Sequence, residues 1–294
     1  MLNANISVLK KLPPPVAKMA KRLLVYPRYW RCKSAAHASF TQHGTDYHHS
    51  ILFIAGMPKS GTTWLEKMMS SYPGYEELLI PGANFYELKT GEGHLYDLPD
   101  NAFSKLNDCL VLTKMHCHGS TQNVKVLAGA EIPYVILYRD PRDVAVSHYY
   151  YVRNTPWHGD YGALKDCNVQ EGIRYFIHKR LPEFAHWMRS WRDNREPEHS
   201  LMISYEEMLR DTSDVLRRVF QLFALEADET RIEQIVSANS FKSLAAGDQG
   251  KTAFFRKGQA GDWVNHFDEA LKVEFNTVDS KILVEFGYEK NDQW

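Results

Sequence analysis

The stretch Phe53-Ile54-Ala55-Gly56-Met57-Pro58-Lys59-Ser60-Gly61-Thr62-Thr63-Trp64 sets a lysine between two glycines five residues apart. An apolar run, Ile51 to Ala55, leads in, and a helix-compatible run, Thr62 to Met69, leads out. A strand, a glycine-bounded loop and a helix in that order turn backbone N–H groups toward one point. The helix N-terminus adds partial positive charge, so the corner suits a phosphate-like anion. A Walker A loop shares the glycine spacing but ends Gly-Lys-Ser/Thr. Here Thr62 follows Gly61 directly, and Lys59 lies inside the loop. The same residues would also serve a plain strand–turn–helix corner with a solvated lysine.

Three later stretches carry related chemistry. Cys109 to His116 reads as a buried strand ending in Lys114 and His116. Ligands of open parallel sheets bind beyond the C-terminal strand ends, and side chains two apart share a face, so this pair can address one site. Ile132 to Tyr138 is another apolar strand, closed by Arg139. Asp140 and Pro141 suit the cap and first position of a helix, with Ser147 about two turns in. Near the end, Phe254 to Trp263 reads Phe-Phe-Arg-Lys-Gly-Gln-Ala-Gly-Asp-Trp. Arg256 and Lys257 supply charge there, while Gly258 and Gly261 let backbone approach a ligand closely.

The elements that must position these residues are those of an α/β chain. Its 294 residues suffice for one large domain or two small ones, and 44% hydrophobic content supports a sizeable core. Lys and Arg total 35 against 36 Asp and Glu, a formal net charge of −1. No global basic field points to nucleic acid, so a polyanionic ligand needs a local cation cluster. The four cysteines form no C-x-x-C pair and suit a reducing compartment. No apolar run is long enough to span a membrane, and the N-terminus lacks a signal-like apolar core. Metal sites are not expected: His43, His48 and His49 read as loop histidines, and Cys117 and His118 lack matched spacing.

Residues 1–50 read as an extension packing on the domain that fills 51–294. Val16 to Arg31 is basic and partly amphipathic, a helix plausible as far as Pro27. It suits contact with a membrane surface or an acidic partner, or else a peripheral helix packing Leu23 and Leu24 on the domain. A long helix is expected over 169–194, with Ile173, Phe176, Ile177, Phe184, Trp187, Met188 and Trp191 as its core stripe. Strand 201–204, helices over 211–225 and 229–238, and a closing helix over 267–286 follow. Residues 73–108 hold no long element.

Pro58 to Trp64 resembles the 5′-phosphosulfate loop of sulfotransferases that use 3′-phosphoadenosine 5′-phosphosulfate (PAPS). Arg139 through Ser147 is similar to that family's 3′-phosphate motif, and Arg256 to Trp263 to the loop that completes it. Val264 stands where the family commonly has lysine. Weaker likenesses are Tyr205-Glu206-Glu207-Met208 and Asn239-Ser240-Phe241. The resemblance spans residues 51–265 and implies one α/β domain, a central parallel sheet flanked by helices in the P-loop-like sulfotransferase fold. It implies that Lys59, Ser60, Gly61, Thr62 and Thr63 hold the 5′ end. Trp64, Tyr205, Ser240 and Phe241 would take the adenine, and Arg139, Ser147, Arg256, Lys257 and Gly258 the 3′-phosphate. His116 becomes the catalytic base, with Lys59, Lys114 and Ser147 assisting, and adenosine 3′,5′-bisphosphate (PAP) the product.

The implied enzyme transfers a sulfuryl group to a hydroxyl or amine of a small-molecule acceptor, without metal, in the cytoplasm rather than as the Golgi-anchored form. A glycan acceptor is the alternative. Aromatic lining from Phe85, Tyr86, His94, Tyr149 and Trp157 is expected around that acceptor. Two other classes stay open on sequence: a kinase or hydrolase on a related P-loop fold, and a non-catalytic nucleotide-binding protein. The dimer element of several cytosolic members is incomplete around Thr277-Val278, which leaves the oligomeric state open.

Overall fold

The apolar runs become strands of one parallel sheet. A computed structural model describes residues 12–80, 94–240, 243 and 258–294. The order is α1 (Pro14–His43), β1 (Ile51–Gly56), α2 (Thr62–Met69), β2 (Glu76–Glu77), β3 (Val111–Met115), α3 (Thr121–Gly129), β4 (Tyr134–Tyr138) and α4 (Pro141–Val152). Then come α5 (Tyr161–Leu164), α6 (Val169–Lys179), α7 (Leu181–Asn194), β5 (Ser200–Ser204), α8 (Tyr205–Arg210), α9 (Thr212–Leu222), α10 (Glu229–Ala238), α11 (Glu269–Asp279) and α12 (Ile282–Glu285).

The strands lie in the order β2-β3-β1-β4-β5, every pair parallel, with Ile54 beside Lys114 and Ala55 beside Ile136. Helices cover both faces, which is why β1 is apolar throughout rather than alternating. Ile51, Phe53 and Ala55 enter one core with Phe184 and Trp187 of α7. Leu52 and Ile54 enter the other with Leu65 of α2 and Phe220 of α9. Each buried Leu, Ile or Phe among these contributes roughly 1.5–3 kcal/mol. The α/β architecture with a central parallel sheet is therefore as expected.

Three boundaries differ from expectation. Helix α1 does not stop at Pro27 but runs 30 residues through it. Its second half is anchored, with Ala36 buried, Tyr29, Cys32 and Phe40 packed on the two cores, and the Leu110 N–H donating to the Ala36 carbonyl at 3.1 Å. That tertiary hold outweighs the one backbone bond that proline removes. Leu23, expected to pack, is 70% exposed. The helix expected over 169–194 is two, because Pro182 in the first turn of α7 cannot continue α6. The closing helix is likewise split, and Asp279 Oδ1 caps the N–H groups of Lys281 and Ile282 at the break.

Candidate active site

The first connection leaves β1 toward β2, and the later one crosses to β4 on the other side, so a crevice opens beyond the ends of β1 and β4. The Gly56–Gly61 loop fills its floor. A Cβ on Gly56 would sit 1.7 Å from Thr62 Cγ2. Gly61 has φ 86, and a Cβ there would lie 2.7 Å from Tyr205 Cδ2. Lys59 itself takes φ 68, a strained conformation for a residue with a Cβ. Its ammonium lies 4.0 Å from the Tyr151 ring centre.

Ser60 is fully buried and turned inward. Its hydroxyl reaches the carbonyls of Met57 (2.6 Å) and Leu137 (3.0 Å), and its N–H donates to Met57 at 3.2 Å. This narrows the donors expected for an anion to the later positions of the loop. Thr62 and Thr63, in the first turn of α2, have N–H groups with no helical carbonyl to bond.

Arg139, just past β4, ties three segments together. Its guanidinium donates to the Lys59 carbonyl (3.3 Å), the Gln259 carbonyl (2.9 Å) and Asp143 Oδ2 (3.1 Å). It also lies over the Tyr205 ring at 4.3 Å. Its Nε is buried with no partner among the described residues. Asp143, whose side chain is 1% exposed, also accepts from the N–H groups of Gly261 (2.8 Å) and Trp263 (2.9 Å). So one carboxylate joins the β4 end to the last loop. Sequence reasoning passed over Asp143; its signal was the four-residue spacing from Arg139, which puts both on one helical face. Ser147, a further turn along α4, is half-buried.

His116 lies just past β3. Its Nδ1 bonds the Gly56 carbonyl. A carbonyl only accepts, so Nδ1 carries a proton, and Nε2 is the ring nitrogen left to exchange one. The Trp187 indole N–H holds the His116 carbonyl at 2.9 Å, and the His94 ring lies edge-on at 5.6 Å. Burial, then the neighbouring His116 and Arg180, hold His94 well below the ordinary imidazole range, so it is neutral. Lys114 pairs with Glu66 of α2 and donates to the Thr63 hydroxyl at 3.1 Å. Lys114 is thus held at the first turn of α2, and the His116 ring at the Gly56 carbonyl where the loop begins.

Residues 50–285 match the family model of the sulfotransferase domain. The chain belongs to the sulfotransferase family. Membership makes it a sulfuryl-transferring enzyme. This sulfotransferase is 28% identical over 164 residues to a 3-beta-hydroxysteroid sulfotransferase of Cavia porcellus, covering 51% of the chain and 54% of that relative, so about half the relative's length is matched. It is 22% identical over 300 residues to Cytosolic sulfotransferase 13 of Arabidopsis thaliana, covering 94% and 90% of the two. A mouse sulfotransferase solved with PAP aligns at TM-score 0.58 and 19% identity, over 85% of this chain and 90% of that one. Retinol dehydratase solved with retinol and PAP aligns at 0.60 and 18%, over 83% and 85%. At such identities these two structures speak to the shared fold.

The remaining expected site residues of this sulfotransferase fall into three groups. Trp64 donates its indole N–H to the Asn239 carbonyl at 2.8 Å and meets Tyr205 edge-on at 6.2 Å, bringing those segments together. Ser240 bonds Ser243 at 2.8 Å, and Gly258 takes φ 61. Phe85, Tyr86, Phe241, Arg256 and Lys257 lie outside the described residues. Tyr149 does not line the site: it is 1% exposed, packs on Gly172 of α6 and donates to the Cys167 carbonyl at 2.9 Å. Two residues from Ser147, it points to the opposite side of α4; Tyr151, four away, meets Lys59 instead. Trp157 is buried, 8% exposed.

His148, His158 and Asp160 bring metal-donor atoms together on the buried side of α4. Asp160, however, accepts from Arg180 Nε (2.7 Å) and the Tyr175 hydroxyl (2.9 Å) and pairs with His148 at 3.3 Å. A guanidinium on the one carboxylate repels a cation, so the donor set fits an internal salt bridge. Burial pushes the Asp160 carboxyl up, but the His148 and Arg180 bonds and the Arg180 charge outweigh it and hold it well down.

Proposed function

We propose that this sulfotransferase moves the sulfuryl group of PAPS directly, in line, to a hydroxyl or amine of a small-molecule acceptor. The observation that carries this reading is the bond from His116 Nδ1 to the Gly56 carbonyl, which leaves Nε2 as the ring nitrogen to accept a proton beside the anion-binding loop. His116 takes the acceptor's proton as the oxygen or nitrogen attacks sulfur. The sulfur–oxygen bond to the phosphate breaks, and Lys59 with the Thr62 and Thr63 N–H groups stabilises the charge developing there. Lys114 lends positive charge at the first turn of α2, with Glu66 and Thr63 setting where it sits.

Arg139 and Ser147 take the 3′-phosphate with Arg256, Lys257 and Gly258. The unpartnered Arg139 Nε supports this, since an oxyanion would satisfy it. Trp64, Tyr205, Ser240 and Phe241 frame the adenine. We assign His94 and Trp157 to acceptor binding, together with Phe85 and Tyr86 from the sequence, and Tyr151 in place of Tyr149. The PAP held by the mouse sulfotransferase and by retinol dehydratase supports the donor, and retinol, in the latter, a small alcohol as acceptor. Four free thiols fit the cytoplasm. Residues 51–294 act as the catalytic domain and 1–50 as an extension.

Calorimetry with PAP, then labelled-sulfate transfer from PAPS across phenols, alkyl alcohols, amines and glycans, tests this. The reading expects PAP binding and transfer to one of the small-molecule classes. Absence of PAP binding by folded protein contradicts the donor; transfer to glycans alone contradicts the acceptor.

A further inference from the structure

Nothing in the catalytic reading uses the first half of α1. There Val16, Met19, Leu23, Tyr26 and Trp30 recur at alternating spacings of three and four, and are 43, 60, 70, 52 and 59% exposed. At 3.6 residues per turn they share an arc of about 80°. The face that holds α1 to the domain, through Tyr29, Cys32, Ala36 and Phe40, lies elsewhere around the helix. Exposed leucine, methionine and tryptophan in a single row on a 30-residue helix are an apolar strip in water.

Charge decides what covers it. Residues 12–45 contain Lys18, Lys21, Arg22, Arg28, Arg31 and Lys33 and no Asp or Glu, in a chain whose net charge is −1. Arg31 and Lys33 border the strip in the helical register. A second copy would bring cations against cations, whereas paired helices of this spacing rely on opposite charges at the bordering positions. An anionic bilayer surface supplies both what the strip and what the cations need. Apolar side chains enter the headgroup boundary, tryptophan and tyrosine suit that depth, and lysine and arginine stay with the lipid phosphates. No helix among the described residues is long and apolar enough to cross a membrane, so the helix lies on the surface.

We propose that the first half of α1 docks this sulfotransferase on an anionic membrane surface. The test is flotation of the full chain with vesicles of phosphatidylcholine alone or mixed with phosphatidylserine. The protein should float with the mixed vesicles, fail to float with neutral ones, and be released by high salt. Leu23→Gln should weaken partitioning about tenfold, and adding Trp30→Gln should abolish it. PAP affinity in these variants should be unchanged, which shows that the fold persists and separates this result from the catalytic reading. Absence of flotation, or flotation indifferent to the double substitution, overturns the proposal. So does self-association in sedimentation that the substitutions remove without any vesicle binding, because the face would then belong to a second copy.

Discussion

Replacing Asp143 by alanine tests the hub that joins the β4 end to the last loop. Its carboxylate is 1% exposed and accepts from Arg139 at 3.1 Å, Gly261 at 2.8 Å and Trp263 at 2.9 Å. Removal leaves a guanidinium that is itself 9% exposed without its counter-charge. Breaking one side of a buried pair costs about 3–5 kcal/mol. The two backbone N–H groups lose their acceptor as well, but Gly261 is exposed and water can replace part of that loss. Urea unfolding should therefore show a lower midpoint at unchanged slope, equivalent to about 3–5 kcal/mol. PAP affinity should fall with it, since Arg139 and the Gly258–Trp263 segment lose their common anchor. Asp143→Asn, which keeps one acceptor oxygen, should fall between. A loss under about 1 kcal/mol, typical of an exposed pair, together with unaltered PAP binding would refute the reasoning.

Lys59→Gln should lower sulfuryl transfer by roughly a hundredfold or more, the scale for removing one charge-stabilising donor, while PAP affinity changes much less; equal losses in both would place Lys59 in binding alone. Gly61→Ala must accept φ 86 and a Cβ 2.7 Å from Tyr205, so PAP affinity should drop at least about tenfold, and wild-type affinity would contradict the loop geometry. Burial pushes His148 down to about 4 against the pull of its Asp160 bond, with His158 and Arg180 opposing its charge further. An unfolded imidazole titrates near about 6.5, so the unfolded chain binds the extra proton first, and stability present above that pH is lost as pH falls toward 4. The loss is roughly 3 kcal/mol, and melting of His148→Phe should depend less on pH across that window; an unchanged slope would remove His148 as the cause.

Local chemistry was the legible part. Strand β1, its loop and α2 announce themselves by an apolar run, two glycines and a helix-compatible stretch, all within neighbouring residues. Asp140 caps α4 as its type suggests, accepting from the Arg142 N–H at 2.9 Å. What the sequence hid depends on residues far apart in the chain. Pro27 looked like a stop because the anchors at Ala36 and Phe40 are tertiary. Tyr149 looked like a pocket aromatic because composition does not say which side of α4 faces the crevice; counting from Ser147 would have favoured Tyr151. The inward turn of Ser60 was hidden as well, since its hydroxyl bonds the carbonyl of Leu137, a residue 77 positions away. Strand β2, two residues long and exposed, has no apolar signature at all.

The most direct measurement compares single-turnover transfer of labelled sulfate from PAPS by the wild-type chain and by His116→Ala, with PAP affinity read in parallel. Loss of the base at Nε2 should slow transfer roughly a hundredfold or more at unchanged PAP affinity. Near-normal transfer by His116→Ala would contradict the assignment of that imidazole as the proton acceptor.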